Sequence, residues 1–184
     1  MSSELQTSRW VLLAQAGDRE ALDQLLRSIQ SPLHAYLLRL SGRPADADEV
    51  LQETLLQVYR KLRWLREPGL LRPWAFRIAS RLAFKHLRRR RRWPDPLEDE
   101  ETIPARTADP ADIALDQEQR QLLPQILDSL SPASSAVLHL HHLEGHSLAE
   151  VAAILDIPLG TVKSRLAYGL DKLRSYLRRK RTTT

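Results

Sequence analysis

Apolar residues recur at spacings of three and four along most of the chain, the mark of helices that each bury one face. Trp10 to Ala16 forms a first such stretch, ended by Gly17. Asp18 is placed to cap a second, with Ala21, Leu22, Leu25, Leu26 and Ile29 on one side. Pro32 is expected to open a separate run through Leu40, and Gly42 and Pro44 to break it. The next helix is expected to start at Asp46, three residues before Glu49, and to carry Val50, Leu51, Thr54, Leu55, Val58 and Leu62. After a break at Pro68-Gly69, a helix from about Arg72 runs into an arginine cluster, with Trp74, Ala75, Ile78 and Leu82 facing inward.

The periodicity then lapses and resumes near Asp116. Gln117 to about Ser129 reads as one helix, and Ser131-Pro132 as the start of another that ends at Glu144-Gly145. Ser147-Leu148-Ala149-Glu150 has the form of a capping box, followed by Leu148, Val151, Ala152 and Leu155 on one face. Asp156-Ile157-Pro158 breaks the chain before a final helix lined by Val162, Leu166, Leu170, Leu173 and Leu177. The pattern predicts an all-α protein of two helical domains, residues 1–93 and 116–180, joined by a linker over 94–115.

Composition agrees. Among the 184 residues Leu occurs 35 times against 6 Val and 7 Ile, a balance that favours helix over sheet. There is no Cys, which excludes disulfides, a thiol nucleophile and thiolate metal sites. No apolar run is long enough to span a membrane, so a soluble, cytoplasmic protein without membrane insertion is expected. The net charge is +5, but Asp95 to Glu118 holds nine acidic residues and one basic, a local −8 that leaves +13 elsewhere. With Pro94, Pro96, Pro104 and Pro110, this stretch reads as an extended acidic linker. The basic remainder suits a polyanionic partner, most simply nucleic acid.

Three constellations carry candidate chemistry. The last two helices have the layout of a helix-turn-helix, in which Thr161, Lys163, Ser164 and Tyr168 are expected to face base edges and Arg165 and Lys172 phosphates. Arg77, Arg81, Lys85 and Arg88, spaced by four, four and three, form a cationic stripe. Trp74, Phe76, Phe84 and Trp93 are interleaved with it, a combination that suits unstacked bases. Asp46, Asp48, Glu49, Gln52 and Glu53 form an acidic face, better suited to a protein partner than to catalysis because no His or Ser partner lies nearby in sequence. His139, His141, His142 and His146 complete no known metal-ligand spacing and are expected as partly exposed helix residues. No glycine loop cradles phosphate and no nucleophile-base pattern is recognisable, so neither an enzyme nor a cofactor is expected.

These residues carry a family resemblance. Asp46-Ala47-Asp48-Glu49-Val50-Leu51-Gln52-Glu53-Thr54-Leu55, Trp74-Ala75-Phe76-Arg77-Ile78-Ala79 and Gly160-Thr161-Val162-Lys163-Ser164-Arg165-Leu166 occur in the order and spacing of the extracytoplasmic-function (ECF, group IV) sigma factors of bacterial RNA polymerase. The resemblance implies a sigma factor that directs promoter recognition, DNA melting and transcription initiation. It places Asp46, Asp48, Glu49, Gln52 and Glu53 against the β′ clamp helices, with a further contact to the β flap. Trp74, Arg77, Arg81, Lys85 and Arg88 would meet the −10 element, and Thr161, Lys163, Ser164, Arg165 and Tyr168 the −35 element. An anti-sigma partner is also implied. The chain departs from the family pattern at Arg81, where Asn is usual, at Lys85 for Asp, at Leu55 for an aromatic and at Tyr168 for Arg. A stand-alone helix-turn-helix regulator with an N-terminal sensing domain is the competing reading; it would dimerise on palindromic duplex without polymerase. A helical adaptor with no DNA function is a third.

Overall fold

In the computed structural model, residues 3–90, 115, 117–127 and 129–182 are described, and every regular element among them is helical. The linker over 94–115, Leu115 apart, and Trp93 lie outside the described residues. The chain divides into two compact units at Leu87/Arg88.

The first unit holds α1 (Ser3–Gln15), α2 (Arg19–Ser41), α3 (Pro44–Lys61) and α4 (Leu71–Arg89), with short 3-10 turns at Leu62–Trp64 and Pro68–Leu70. Gly17, at φ 96°, supplies the left-handed step between α1 and α2 that a side chain would resist. Asp18 caps α2 as expected, accepting from the N–H groups of Glu20 and Ala21 at 2.9 and 3.0 Å.

Two prolines behave differently from expectation. Pro32 does not separate two helices but lies inside α2. Leu25, Ile29, Leu33, Leu37 and Leu40 form one buried stripe that continues in register across it. A proline inside a helix costs about 3 kcal/mol, whereas each buried Leu or Ile returns about 1.5–3 kcal/mol, so packing overrides the local signal. Pro44 opens α3 rather than ending a break: its missing N–H and fixed φ fit the first helical position.

The core of this unit closes over Tyr36, which meets Phe76 edge-on with ring centroids 5.4 Å apart. The buried Ser80 hydroxyl donates to the Phe76 carbonyl at 2.7 Å, so the Tyr36 hydroxyl donates to Ser80 at 2.7 Å. Burial pushes the Tyr36 phenol pKa up. Phe76 is therefore core, not one of the base-facing aromatics expected from its place among the arginines.

The second unit holds α5 (Gln117–Leu127), α6 (Pro132–Leu138), a π turn at His139–Leu143, α7 (Leu148–Leu155) and α8 (Leu159–Thr182). Ser131 caps α6 through the N–H of Ser134. The π turn and a left-handed Gly145, φ 77°, fold the chain back so that His146 N–H reaches the Leu140 carbonyl at 3.0 Å. That reversal buries His139 and His146, against the expectation of partial exposure, while His141 and His142 are half-buried. In α7 the buried residues are Val151 and Ile154, with Leu148, Ala152 and Leu155 half-buried, so the inward face is turned slightly from the expected one. Val162, Leu166, Leu170, Leu173 and Leu177 of α8 are all buried.

Gly169 marks the closest approach of α8 to α6. A Cβ there would fall 2.4 and 2.7 Å from the methyls of Leu138, a fully buried side chain with little room to turn. Gly169→Ala is therefore expected to destabilise the protein by about 1 kcal/mol, because overpacking of about 1–3 kcal/mol exceeds the roughly 1 kcal/mol gained in helix propensity. Denaturant unfolding checks this, and adding Leu138→Val should recover part of the loss.

Candidate partner and nucleic-acid interfaces

The acidic face lies on α3. Asp48, Glu49, Gln52 and Glu53 are exposed on the first three turns, and Val50, Leu51 and Thr54 on the other side are buried. Gln57 Nε2 donates to Glu53 at 3.4 Å and Lys61 to Gln57 at 3.3 Å, a polar ladder that continues down the exposed side. Asp46 departs from the expected set. It is 2% exposed, with its Oδ1 3.8 Å from Nε2 of His86, because it lies four residues before Val50 on the buried stripe of α3. Asp46 is thus a packing residue and not part of the acidic surface.

The cationic stripe lies on α4 as expected. Arg77, Arg81, Lys85 and Arg88 are all exposed, and Ala75, Ile78, Ala79, Leu82 and Ala83 on the opposite side are buried. Trp74 is half-buried rather than fully inward, leaving part of its ring beside this stripe.

A further feature lies outside what helical periodicity predicts. Gln15 Nε2 donates to the carbonyls of Leu62 and Leu65 at 2.9 and 2.8 Å, which pins the turn after α3 at both ends. Between those anchors the turn presents Arg63 and Trp64; the indole is 60% exposed and the guanidinium lies 4.0 Å from its ring centroid. Tyr59 is exposed one turn earlier, and Arg60, Lys61 and Arg66 are exposed around it. The run Arg60-Lys61-Leu62-Arg63-Trp64-Leu65-Arg66 carries that signal in sequence, but periodicity alone does not reveal it because the run leaves α3 at Lys61 for a 3-10 turn over Leu62–Trp64.

The helix-turn-helix is present. Ser147 and Glu150 form a complete capping box: Ser147 N–H to the Glu150 carboxylate at 2.8 Å, Glu150 N–H to the Ser147 hydroxyl at 3.2 Å. The turn is closed by Asp156 in the left-handed region, φ 59°, which Asp tolerates better than most residues. At 100° per residue, Thr161, Ser164, Tyr168 and Lys172 of α8 lie on a stripe directly away from the core, and Lys163 lies about 100° round the helix from Ser164, at the edge of the buried side. Thr161, Lys163, Ser164 and Tyr168 are partly exposed, and Lys172 is exposed with its ammonium 5.4 Å from the Tyr168 ring centroid. Arg165 departs from the expected set: its place on the helix is beside Thr161 and Lys172, yet it is 3% exposed, packed down and not open to a phosphate.

The hydrogen bond from the Ser147 backbone holds the Glu150 carboxyl below its usual pKa. A lowered folded value means the capping contribution is complete above pH 4.5 and is lost as pH falls through the folded value. Ser147→Ala is expected to cost about 1 kcal/mol near neutrality. The melting-temperature gap between Glu150→Gln and the parent should close on acidification to about pH 3, which thermal unfolding at a series of pH values checks.

Two family models match the chain: Sigma-70 region 2 over residues 25–92 and Sigma-70, region 4 over residues 126–175. The ECF RNA polymerase sigma-E factor of Salmonella typhi is 31% identical over 178 residues, which cover 90% of this chain and 91% of that protein. The chain belongs to the ECF sigma factors of the sigma-70 family. The ECF RNA polymerase sigma factor SigE of Mycolicibacterium smegmatis is 36% identical over 166 residues, covering 88% of this chain, which spans 64% of that relative's length. Among solved structures, CnrH in complex with the cytosolic domain of CnrY superposes with a TM-score of 0.64 at 20% identity, covering 94% of this chain and 97% of that one. The sigma factor RpoE from Bartonella quintana, in complex with the anti-sigma factor NepR, gives 0.62 at 24% identity, covering 85% and 96%. At these identities the two structures establish a shared fold. Family membership disfavours the stand-alone regulator and the adaptor. No helix among the described residues is long and apolar enough to cross a membrane.

Proposed function

We propose that this sigma factor docks on core RNA polymerase through Asp48, Glu49, Gln52 and Glu53 of α3, engages opened −10 DNA along Trp74, Arg77, Arg81, Lys85 and Arg88 of α4, and reads the −35 element through Thr161, Lys163, Ser164 and Tyr168 of α8. The observation that carries this reading is the separation of charge by element. The carboxylates are exposed on α3, the cations on α4 and a polar-aromatic stripe on α8. An acidic helix repels DNA and suits a basic protein surface, whereas a stripe of like positive charges on α4 draws a polyanion. Phosphates supply that polyanion, and the partly exposed Trp74 and the fixed Arg63–Trp64 pair supply stacking faces for unpaired bases.

The domains responsible are residues 1–93 and 116–180, and the linker over 94–115, with a net charge of −6, lies in a polymerase cleft that accepts nucleic acid. The catalysis is the polymerase's. The chain contributes binding free energy that offsets the few kcal/mol per base needed to unstack the duplex, and it acts in the cytoplasm. Arg81, in place of the family's usual Asn, has five fixed donors and no acceptor. It holds a phosphate or stacks on a base rather than recognising one through paired donor and acceptor. An anti-sigma partner belongs to the same reading: the sigma factor RpoE from Bartonella quintana, which shares this fold, was solved in complex with the anti-sigma factor NepR. Co-elution with core polymerase lacking any other sigma tests the reading: a stoichiometric complex is expected, and a dimer that binds duplex DNA without polymerase would replace it with the stand-alone regulator.

A further inference from the structure

Two histidines hold α3 from neighbouring helices. His34 of α2 brings Nε2 to 3.1 Å from Oδ1 of Asp48. His86 of α4 sets Nδ1 at 3.8 Å from Oε1 of Glu49 and Nε2 at 3.8 Å from Oδ1 of Asp46. The His86 side chain is largely buried, whereas the carboxylates of Asp48 and Glu49 stand mostly in solvent. Each of the first two docking carboxylates therefore has an imidazole within reach on its inner side and open water on its outer side. A protonated imidazole is a cation and a neutral one is not, so the charge state of these rings sets the balance between the two sides.

We propose that His34 and His86 are positioning residues for polymerase docking and that their protonation weakens it. The inference rests on the docking surface assigned above. With neutral rings the exposed Asp48, Glu49 and Glu53 carry −3 and are available to a basic partner. With both rings protonated the two added charges bring the sum to −1, and Asp48 and Glu49 are paired back against α2 and α4. The partner must then break two internal ion pairs and meets a third of the charge.

The surroundings fit this direction. His34 faces Asp48, and its own helix places only Gln30, Ser31, Leu37 and Leu38 three and four residues away, none of them charged. His86 faces Asp46 and Glu49 from α3, while Arg89 and Arg90 lie three and four residues further along the chain. Charges of both signs therefore act on the His86 ring, with one carboxylate oxygen 3.8 Å from each of its nitrogens. Nothing in the sequence pairs these residues: 14 positions separate His34 from Asp48 and 37 separate His86 from Glu49.

The test is the affinity of the full chain for core polymerase at about pH 6 and about pH 8. The parent should lose about five-fold in affinity on acidification, the size expected of two solvent-facing ion pairs. His34→Gln/His86→Gln, which keeps hydrogen-bonding capacity without the charge, should lose less than about two-fold. His34→Gln alone alters a half-exposed ring, does not disturb the core, and should remove part of the slope. Equal slopes in parent and variants overturn the proposal. If no form binds polymerase at either pH, histidine and carboxylate NMR titration of the free chain separates the causes. His34 moving with Asp48 and His86 with Glu49 places the fault in the docking assignment, and independent titration overturns the clamp itself.

Discussion

Glu53→Arg is expected to abolish the stable complex with core polymerase while leaving the protein folded. Glu53 lies exposed in the middle of α3, its one described hydrogen bond the 3.4 Å contact from Gln57. Reversing it therefore removes no packing and should change stability by less than about 0.5 kcal/mol. Its effect falls on the partner. If α3 meets a basic surface, the substitution replaces an attractive pair with a repulsive one at the centre of the contact, and like charges set against each other across an interface cost several kcal/mol. A loss of about 100-fold or more in affinity follows, enough to remove the complex from gel filtration at micromolar concentration. Asp46→Asn provides the contrast. That carboxylate is buried beside His86, so its substitution should lower the melting temperature and leave the affinity of the folded fraction nearly unchanged. If Glu53→Arg binds as the parent does, the acidic face is not the docking surface.

The difference between Glu53 and Asp46 also shows which parts of this protein are legible in its sequence. Helix caps are, because a cap is a contact within three residues: Asp18, Ser131 and Ser147 with Glu150 all cap the helices expected of them. The exposed stripe of α4 is legible too, since a three-four spacing of cations has only one arrangement on a helix. The failures share one cause. Residue type alone misplaces Pro32, Asp46, Phe76, His139 and Arg165, and each is governed instead by what packs against it from elsewhere. Pro32 is carried by a buried stripe stronger than its penalty. Phe76 sits among arginines in sequence but against Tyr36 in space. The Arg63–Trp64 pair and its Gln15 anchor lie beyond reach for the same reason, since the two hydrogen bonds that fix the turn span 47 and 50 residues.

Lys163→Ala/Ser164→Ala should separate promoter reading from polymerase binding. Ser164 sits on the stripe of α8 that points away from the core, its hydroxyl donating to the Thr161 carbonyl at 3.0 Å and keeping its acceptor face outward. Lys163 lies off that stripe but is partly exposed in the first turns of α8, and its flexible ammonium reaches either a guanine edge or a phosphate. Loss of two base contacts at about 1–3 kcal/mol each predicts roughly 100-fold weaker binding of holoenzyme to a promoter mapped from its own start sites. Affinity for core polymerase should not change, because neither side chain is on α3 and neither is buried. Two readouts divide the roles. If Lys163 holds a phosphate, Lys163→Ala alone lowers the salt dependence of binding by about one unit of slope and weakens all sequences alike. If it reads a base, the slope stays and the preference for the native −35 sequence over a scrambled one is lost. Arg165→Ala is the internal control: its buried position predicts a loss of stability instead of a change in either readout at a fixed folded fraction. Equal loss of polymerase and promoter binding in the double variant would mean that α8 and α3 do not divide these tasks.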